Sequence, residues 1–359
     1  MSAPSRRRLF VRSDWIIIGS CVVLIAAAGF TRFGGAGSTL AFVCAGLAVA
    51  LLAALVGRSI EQLGDRFGAG ATGVLQSALG NLPELFISLF ALKAGLVVVV
   101  QAALIGSILA NLLLVLGFAF TIGGVLHGPQ RIGSERARST AVLMLLAVAA
   151  MVVPSLASYV HTPAAPHEDM LSLVVAVILL VLFVLTLPGS LRRKPAGDAA
   201  EQQEPSRWPL PVALGMLVAA AVTAAIVSDW FVHALEPAMH AFGISDAFAG
   251  LVIVAIAGNA VEHAVGIQLA AKNRSEYAFS VVINSPLQIA LVLAPALVIL
   301  SRLFGYSPFT LVFPPMLVVA VAMAVLIAAF ITWDGESAWG EGAALLALYA
   351  IIATAFWWG

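Results

Sequence analysis

Gly80-Asn81-Leu82-Pro83-Glu84 returns 178 residues later as Gly258-Asn259-Ala260-Val261-Glu262. At the same offset, Ile105-Gly106-Ser107-Ile108-Leu109 returns as Ile283-Asn284-Ser285-Pro286-Leu287. Two motifs repeated at one spacing mark an internal duplication of the region that contains them. In both copies the acid lies inside a long apolar run, so the residues that interrupt the hydrophobicity are the ones the copies share. That combination decides the fold class.

Around these motifs the chain is 62% hydrophobic and 10% charged over 359 residues, too apolar for a soluble domain. Windows of about 19 residues resolve apolar spans at 14–30, 37–56, 70–93, 97–121, 138–155, 170–187, 209–229, 246–271, 277–300, 311–331 and 341–357. Spans of this length close their backbone hydrogen bonds internally as helices; membrane strands are shorter and alternate in polarity. The expectation is an all-α polytopic membrane protein of eleven transmembrane helices.

The distribution of Lys and Arg supports the count. With the N-terminus in the cytoplasm, fifteen of the eighteen fall on the cytoplasmic side, and only Arg32, Lys93 and Arg302 fall outside. Arg6, Arg7, Arg8 and Arg12 precede the first span as in a signal peptide, but no small-residue cleavage site follows. That span reads as a retained helix. Residues 1–36 form an N-terminal segment with the first helix, 37–187 a five-helix repeat, 188–208 a polar cytoplasmic linker, and 209–359 a second five-helix repeat. An odd number of spans per repeat inverts the second copy, as in secondary transporters whose ion sites lie at the midplane between repeats.

An ionised carboxylate at the centre of a membrane helix costs roughly 2.5–3.5 kcal/mol on insertion scales. Glu84 and Glu262 have no Lys or Arg in the middle of their spans, so the missing positive charge is a bound cation or a proton. The alternative is a pair of protonated structural acids bonded between helices. Asn81 and Asn259 each stand three residues before the acid, which puts each pair on one helix face. Ser77, Asn81, Glu84 and Ser88 extend that stripe, and Pro83 removes a helical hydrogen bond and frees a carbonyl. Carboxylates, amide oxygens and carbonyls are the hard donors that Ca²⁺ takes in six- to eightfold coordination. Ser107, Ser285 and Gln288 on the following spans either add oxygens to such a cavity or bond helix to helix. Asn111 reads as helix–helix bonding. His263 is either a proton acceptor beside Glu262 or a packed neutral histidine.

Other classes find little support. Net charge is zero, so no basic footprint for nucleic acid exists. Cys21 and Cys44 lie in apolar runs and read as packing. The outer acidic loops, with His161, His167, Glu168 and Asp169 in one and Asp229, His233, Glu236, His240 and Asp246 in the other, read as solvated surface. An intramembrane hydrolase needs a nucleophile–base pair or a metal triad at depth, and the sequence holds neither.

At these motifs the chain resembles the cation/proton exchanger family of the Ca²⁺/cation antiporter superfamily. The resemblance rests on GNLPELFISLFALKAG running on through VVQAALIGSILANLLLVLGFAF, on GNAVEHAVGIQLAAKN running to INSPLQIALVLAP, and on the closing DGESAWGEGAALLALYAIIATAF. It implies one helix preceding two inverted five-helix repeats. It also implies Ca²⁺/H⁺ antiport by alternating access, exporting cytosolic Ca²⁺, with Glu84 and Glu262 as shared cation and proton ligands. Asn81, Asn259, Ser107, Ser285, Gln288 and His263 fall on positions that line the family's pathway. Ca²⁺ and protons are then cargo, no cofactor is called for, and the partner is the lipid bilayer. Asn284 and Pro286 depart from the family's Gly-Ser-Ser, leaving Na⁺, K⁺ or Mn²⁺ exchange on the same scaffold as the rival reading. The short N-terminal tail points to a prokaryotic plasma membrane.

Overall fold

The computed structural model describes residues 9–67, 79–192 and 207–358. Most of the expected linker, and the part of the third span before Leu79, lie outside these residues. Among them run eleven helices: α1 Arg12–Phe33, α2 Ser38–Phe67, α3 Leu82–Lys93, α4 Val97–His127, α5 Ser134–Tyr159 and α6 Glu168–Arg192. After the linker come α7 Leu210–Phe242, α8 Asp246–Ala271, α9 Ser275–Leu303, α10 Pro315–Ile331 and α11 Trp339–Phe356. Nine of the described helices are long and apolar enough to cross a bilayer; α10 is 17 residues, and α3 has 12 described. The chain is a multi-pass membrane protein. The one sheet among the described residues is a two-residue ribbon, β1 Gln130–Arg131 antiparallel to β2 Glu336–Ser337.

The helices fall into two compact units, residues 1–86 with 186–238, and residues 87–185 with 239–359. In the first, α1, α2 and α7 pack together, with Phe42 stacked on Phe231 and Gly46 giving way to the same ring. A polar knot closes one end. Asp14, fully buried, accepts from the Val11 N–H at 3.0 Å and the Trp208 Nε1–H at 3.4 Å, and pairs with Arg58 at 3.1 Å. Gln62 accepts the Arg207 and Trp208 backbone N–H groups. The chain leaving the linker is thereby tied to the start of α1 and the end of α2. Sequence reading passed over Asp14 and Gln62 because both sit at span edges, where polarity is ordinary.

The second unit shows the loop alternation that the expected span order requires. At one end β1 pairs with β2, Ser275 donates to Gln130, His127 Nε2 lies 2.9 Å from the Ala271 carbonyl, and Arg138 donates to the Trp333 carbonyl. Arg131 and Glu336, opposite one another in the ribbon, form an ion pair. Gly335, at φ 82°, turns the ribbon with its Cα against the Ile132 carbonyl, where a side chain would not fit. At the other end Arg302 pairs with Asp169, and Ser245 donates to the Phe356 carbonyl while capping α8 through the Phe248 N–H.

Three departures from the sequence reading concern backbone. α3 begins at Leu82, after a turn at Gly80 and Asn81, so Glu84 stands in its first turn and not mid-helix. Pro83 explains this: a proline N–H is missing anyway at a helix start, and its ring obstructs a helix running through from before. Asn81 therefore precedes the helix and does not share a helical face with Glu84; its carbonyl accepts the Leu85 N–H at 2.9 Å. In the second copy Val261 replaces proline, and α8 runs straight through Asn259 and Glu262.

α10 begins at Pro315, four residues after the expected start, because the Pro314-Pro315 pair holds the preceding chain extended. Phe309, Leu311 and Phe313 are fully buried in non-helical chain, which demands partners for its backbone. Ser155, Ser172, Tyr159, Gln101 and Ser301 supply them through bonds of 2.7–3.2 Å.

Finally, three helices contain a wider π-turn, in which an N–H reaches back five residues: Leu116 to Asn111, Ala255 to Gly250, and Ala294 to Ile289. These turns span Ala110–Val115 in α4, Ala249–Val254 in α8 and Ile289–Leu293 in α9. The first and last end at equivalent places of the duplication, 178 residues apart.

Asp14→Ala would remove the acceptor that the Arg58, Val11 and Trp208 donors share. It should lower stability by about 2–3 kcal/mol, read as a fall in the thermal midpoint of the solubilised protein, and Asp14→Asn should lose less.

Candidate functional site

The second unit gathers the polar residues of three apolar helices around one crossing. α4 brings Ser107 and Asn111, α8 brings Asn259, Glu262 and His263, and α9 brings Ser285 and Gln288. α4 and α8 approach until backbone meets backbone. A Cβ on Gly106 would lie 2.2 Å from the Leu251 carbonyl oxygen, and one on Gly250 would lie 2.2 Å from that of Val99. Only glycine permits this proximity.

Next to the contact, the Asn259 amide donates to the Ser107 hydroxyl at 3.0 Å and to its own helix at the Ala255 carbonyl, also at 3.0 Å. Asn111 repeats the arrangement, donating to the Ser107 carbonyl at 2.9 Å and to the Ser285 hydroxyl of α9 at 3.3 Å. The Ser285 hydroxyl is also within hydrogen-bonding reach of the Glu262 carboxyl. One chain of contacts thus runs from Asn259 through Ser107 and Asn111 to Ser285 and Glu262.

The asparagines direct their N–H groups into the protein, which leaves oxygen over. Asn111 is completely buried and its Oδ1 has no partner among the described residues; Glu262 Oε2 is likewise enclosed and unpaired. Orphaned buried acceptors of this kind are rare and signal a missing donor or cation. His263 is buried with Nε2 unpaired. Gln288 is buried at the junction of α9 with its π-turn. Of the two departures from the family pattern, Asn284 is exposed and Pro286 is buried. Glu84, 1% exposed in the first turn of α3, and half-buried Asn81 belong to the first unit.

Asn111 is the residue that sequence reading undervalued. It does bond helix to helix, but at the centre of the network, and its four-residue step from Ser107 on a helix was the available signal. Among the described residues no three His, Cys, Asp or Glu side chains form a metal cluster; Asp169, at the start of α6, is engaged by Arg302.

Residues 37–191 and 212–358 match the sequence pattern of the sodium/calcium exchanger protein family. The chain belongs to that family. Within it, a Ca²⁺/H⁺ antiporter of Aphanothece halophytica is 38% identical over 335 residues, covering 88% of this chain and 89% of the relative. The Ca²⁺/H⁺ antiporter ChaA of Bacillus subtilis strain 168 is 38% identical over 327 residues, covering 89% and 92%. The solved structure of native YfkE, a Ca²⁺/H⁺ antiporter, superposes with a TM-score of 0.79 at 35% identity, over 96% of this chain and 99% of that one. This exchanger-family chain therefore has the helical transporter fold that its repeated motifs predicted.

Gly250→Ala should force α4 and α8 apart and cost about 1–3 kcal/mol, measurable as reduced thermal stability in detergent. The same change at exposed Gly19, where a Cβ meets nothing within 4 Å, should be neutral.

Proposed function

We propose that this chain is a secondary active Ca²⁺/H⁺ antiporter that exports cytosolic Ca²⁺ by alternating access, from a prokaryotic inner membrane with the N-terminus cytoplasmic. The observation that carries the reading is the pair of orphaned oxygens, Asn111 Oδ1 and Glu262 Oε2, on either side of Ser285. Both are hard donors, and the second unit's sequence contains no cysteine to favour a softer metal. The bacterial relatives, described as Ca²⁺/H⁺ antiporters, and the eleven described helices support the same conclusion.

In this mechanism Glu84 and Glu262 are the shared carriers. Ionised, Glu262 takes Ca²⁺ with the amide and hydroxyl oxygens of Asn259, Ser107, Ser285, Gln288 and Asn111, and Glu84, with Asn81, is the corresponding carrier of its own unit; after release, protons replace the cation. An empty, ionised site is disfavoured by desolvation. The site therefore crosses between its two accessible states only when loaded, and that restriction couples the fluxes. His263 lies one residue, about 100° of helix, away from Glu262 and is placed to assist proton movement without sharing its direction.

Reconstituted into liposomes with an imposed pH gradient, the protein should accumulate Ca²⁺ and leave Na⁺ and K⁺ behind; gradient-driven uptake of a monovalent ion in place of Ca²⁺ would reassign the cargo. Glu84→Gln and Glu262→Gln should each abolish coupled uptake, and wild-type exchange in either would remove that carboxylate from the mechanism. Asn111→Leu, close in volume but without the oxygen, should weaken apparent Ca²⁺ affinity by about tenfold, the equivalent of one lost charge-assisted contact.

A further inference from the structure

Gly250 and Asn259 both face α4, the first through its backbone against Val99 and the second through its side chain on Ser107. Nine residues separate them along α8. On an uninterrupted α-helix, at about 100° per residue, nine steps amount to about 180°, so the two would stand on opposite sides. Leu251, whose backbone meets Gly106, would be about 80° from Asn259 by the same count. Between them lies the π-turn Ala249–Val254, where the Ala255 N–H bonds to the Gly250 carbonyl. Such a turn takes one more residue than an α-turn before it closes. Removing that residue's rotation brings Asn259 to within about 80° of Gly250 and about 20° of Leu251, on the face that meets α4.

We infer that the π-turn Ala249–Val254 is a register device: it absorbs one residue of α8 so that the glycine crossing and the Asn259–Glu262 face are presented to α4 together. Without it the tight crossing would direct Gly258 and Val261 toward Ser107, and the asparagine and glutamate would be carried about 100° away. The residues that matter here touch no cargo. They are positioning residues, and their role lies in helical rotation.

The two compensating length changes have opposite consequences. Deleting Val252 turns the π-turn into an ordinary α-turn and leaves the helix beyond it in register; inserting one alanine after Val252 adds a rotation nothing absorbs. In a plain α-helix both changes would be equally disruptive. The inference rests on the exchange reading only for what the aimed residues do, so the test reads geometry first. In a background without Cys21 and Cys44, Ser107→Cys with Asn259→Cys should bind one Hg²⁺ per chain, a linear bridge between two thiolates that protects both from maleimide.

The expected result is protection in the full-length chain and in the Val252 deletion, lost in the insertion. Deletion of Ile253 from the same turn is the second variant and should behave as the Val252 deletion does. Loss of protection in both deletions, their failure to accumulate in the membrane, or protection in the insertion would each overturn the assignment. If the double-cysteine chain bridges while the unsubstituted chain moves no Ca²⁺ in liposomes, the exchange reading fails and the register assignment stands.

Discussion

Hydrocarbon offers no hydrogen bonds, and each polar group that this chain takes into the membrane must therefore find its partner in the protein. The helices are the first consequence. The extended stretch from Phe309 to Phe313 is the second, tolerable only because neighbouring side chains meet its carbonyls and N–H groups. Asn259 and Asn111 satisfy their amides in the same manner, each dividing its donors between its own helix and a serine on the next. Asn111 Oδ1 and Glu262 Oε2 are among the buried side-chain atoms that this accounting leaves over, and the exchange reading proposes them as cation ligands.

The duplication was legible because its shared residues contrast with their surroundings. Asn and Glu in a run of Ala, Val and Leu are conspicuous, and hydropathy alone located nearly all the helices. What escaped was whatever leaves hydropathy unchanged. Pro83 signals a lost helical hydrogen bond but not where a helix starts, so the turn at Gly80 and Asn81 vanished into one span from 70 to 93. The π-turns use the same alanines, leucines and valines as the α-helix around them, and nothing in composition distinguishes a turn closed at five residues from one closed at four. Asp14 was hidden for the opposite reason: a charge at the end of a span is commonplace, and only its burial with Arg58 and Trp208 sets it apart.

The two copies have also diverged in backbone where they agree in side chain. Glu84 follows a helix start dictated by Pro83, with the free N–H groups and partial positive charge of a first turn close by. Glu262 is carried by a continuous helix that has Val261 in place of the proline. On the partner spans the proline is reversed, Ile108 in the first copy and Pro286 in the second. Equivalent acids are thus held by inequivalent scaffolds, which differ in how their surroundings meet a negative charge.

The stretch before α10 has a mechanical corollary. Side chains from α4, α5, α6 and α9 all fasten to five consecutive residues, Phe309 to Phe313, that have no helix of their own. Displacing any one of those helices at this end would strip backbone groups of their bonds where no water replaces them. Four helix ends are consequently riveted to a single irregular strand, and whatever opens elsewhere in the molecule must carry that end along intact.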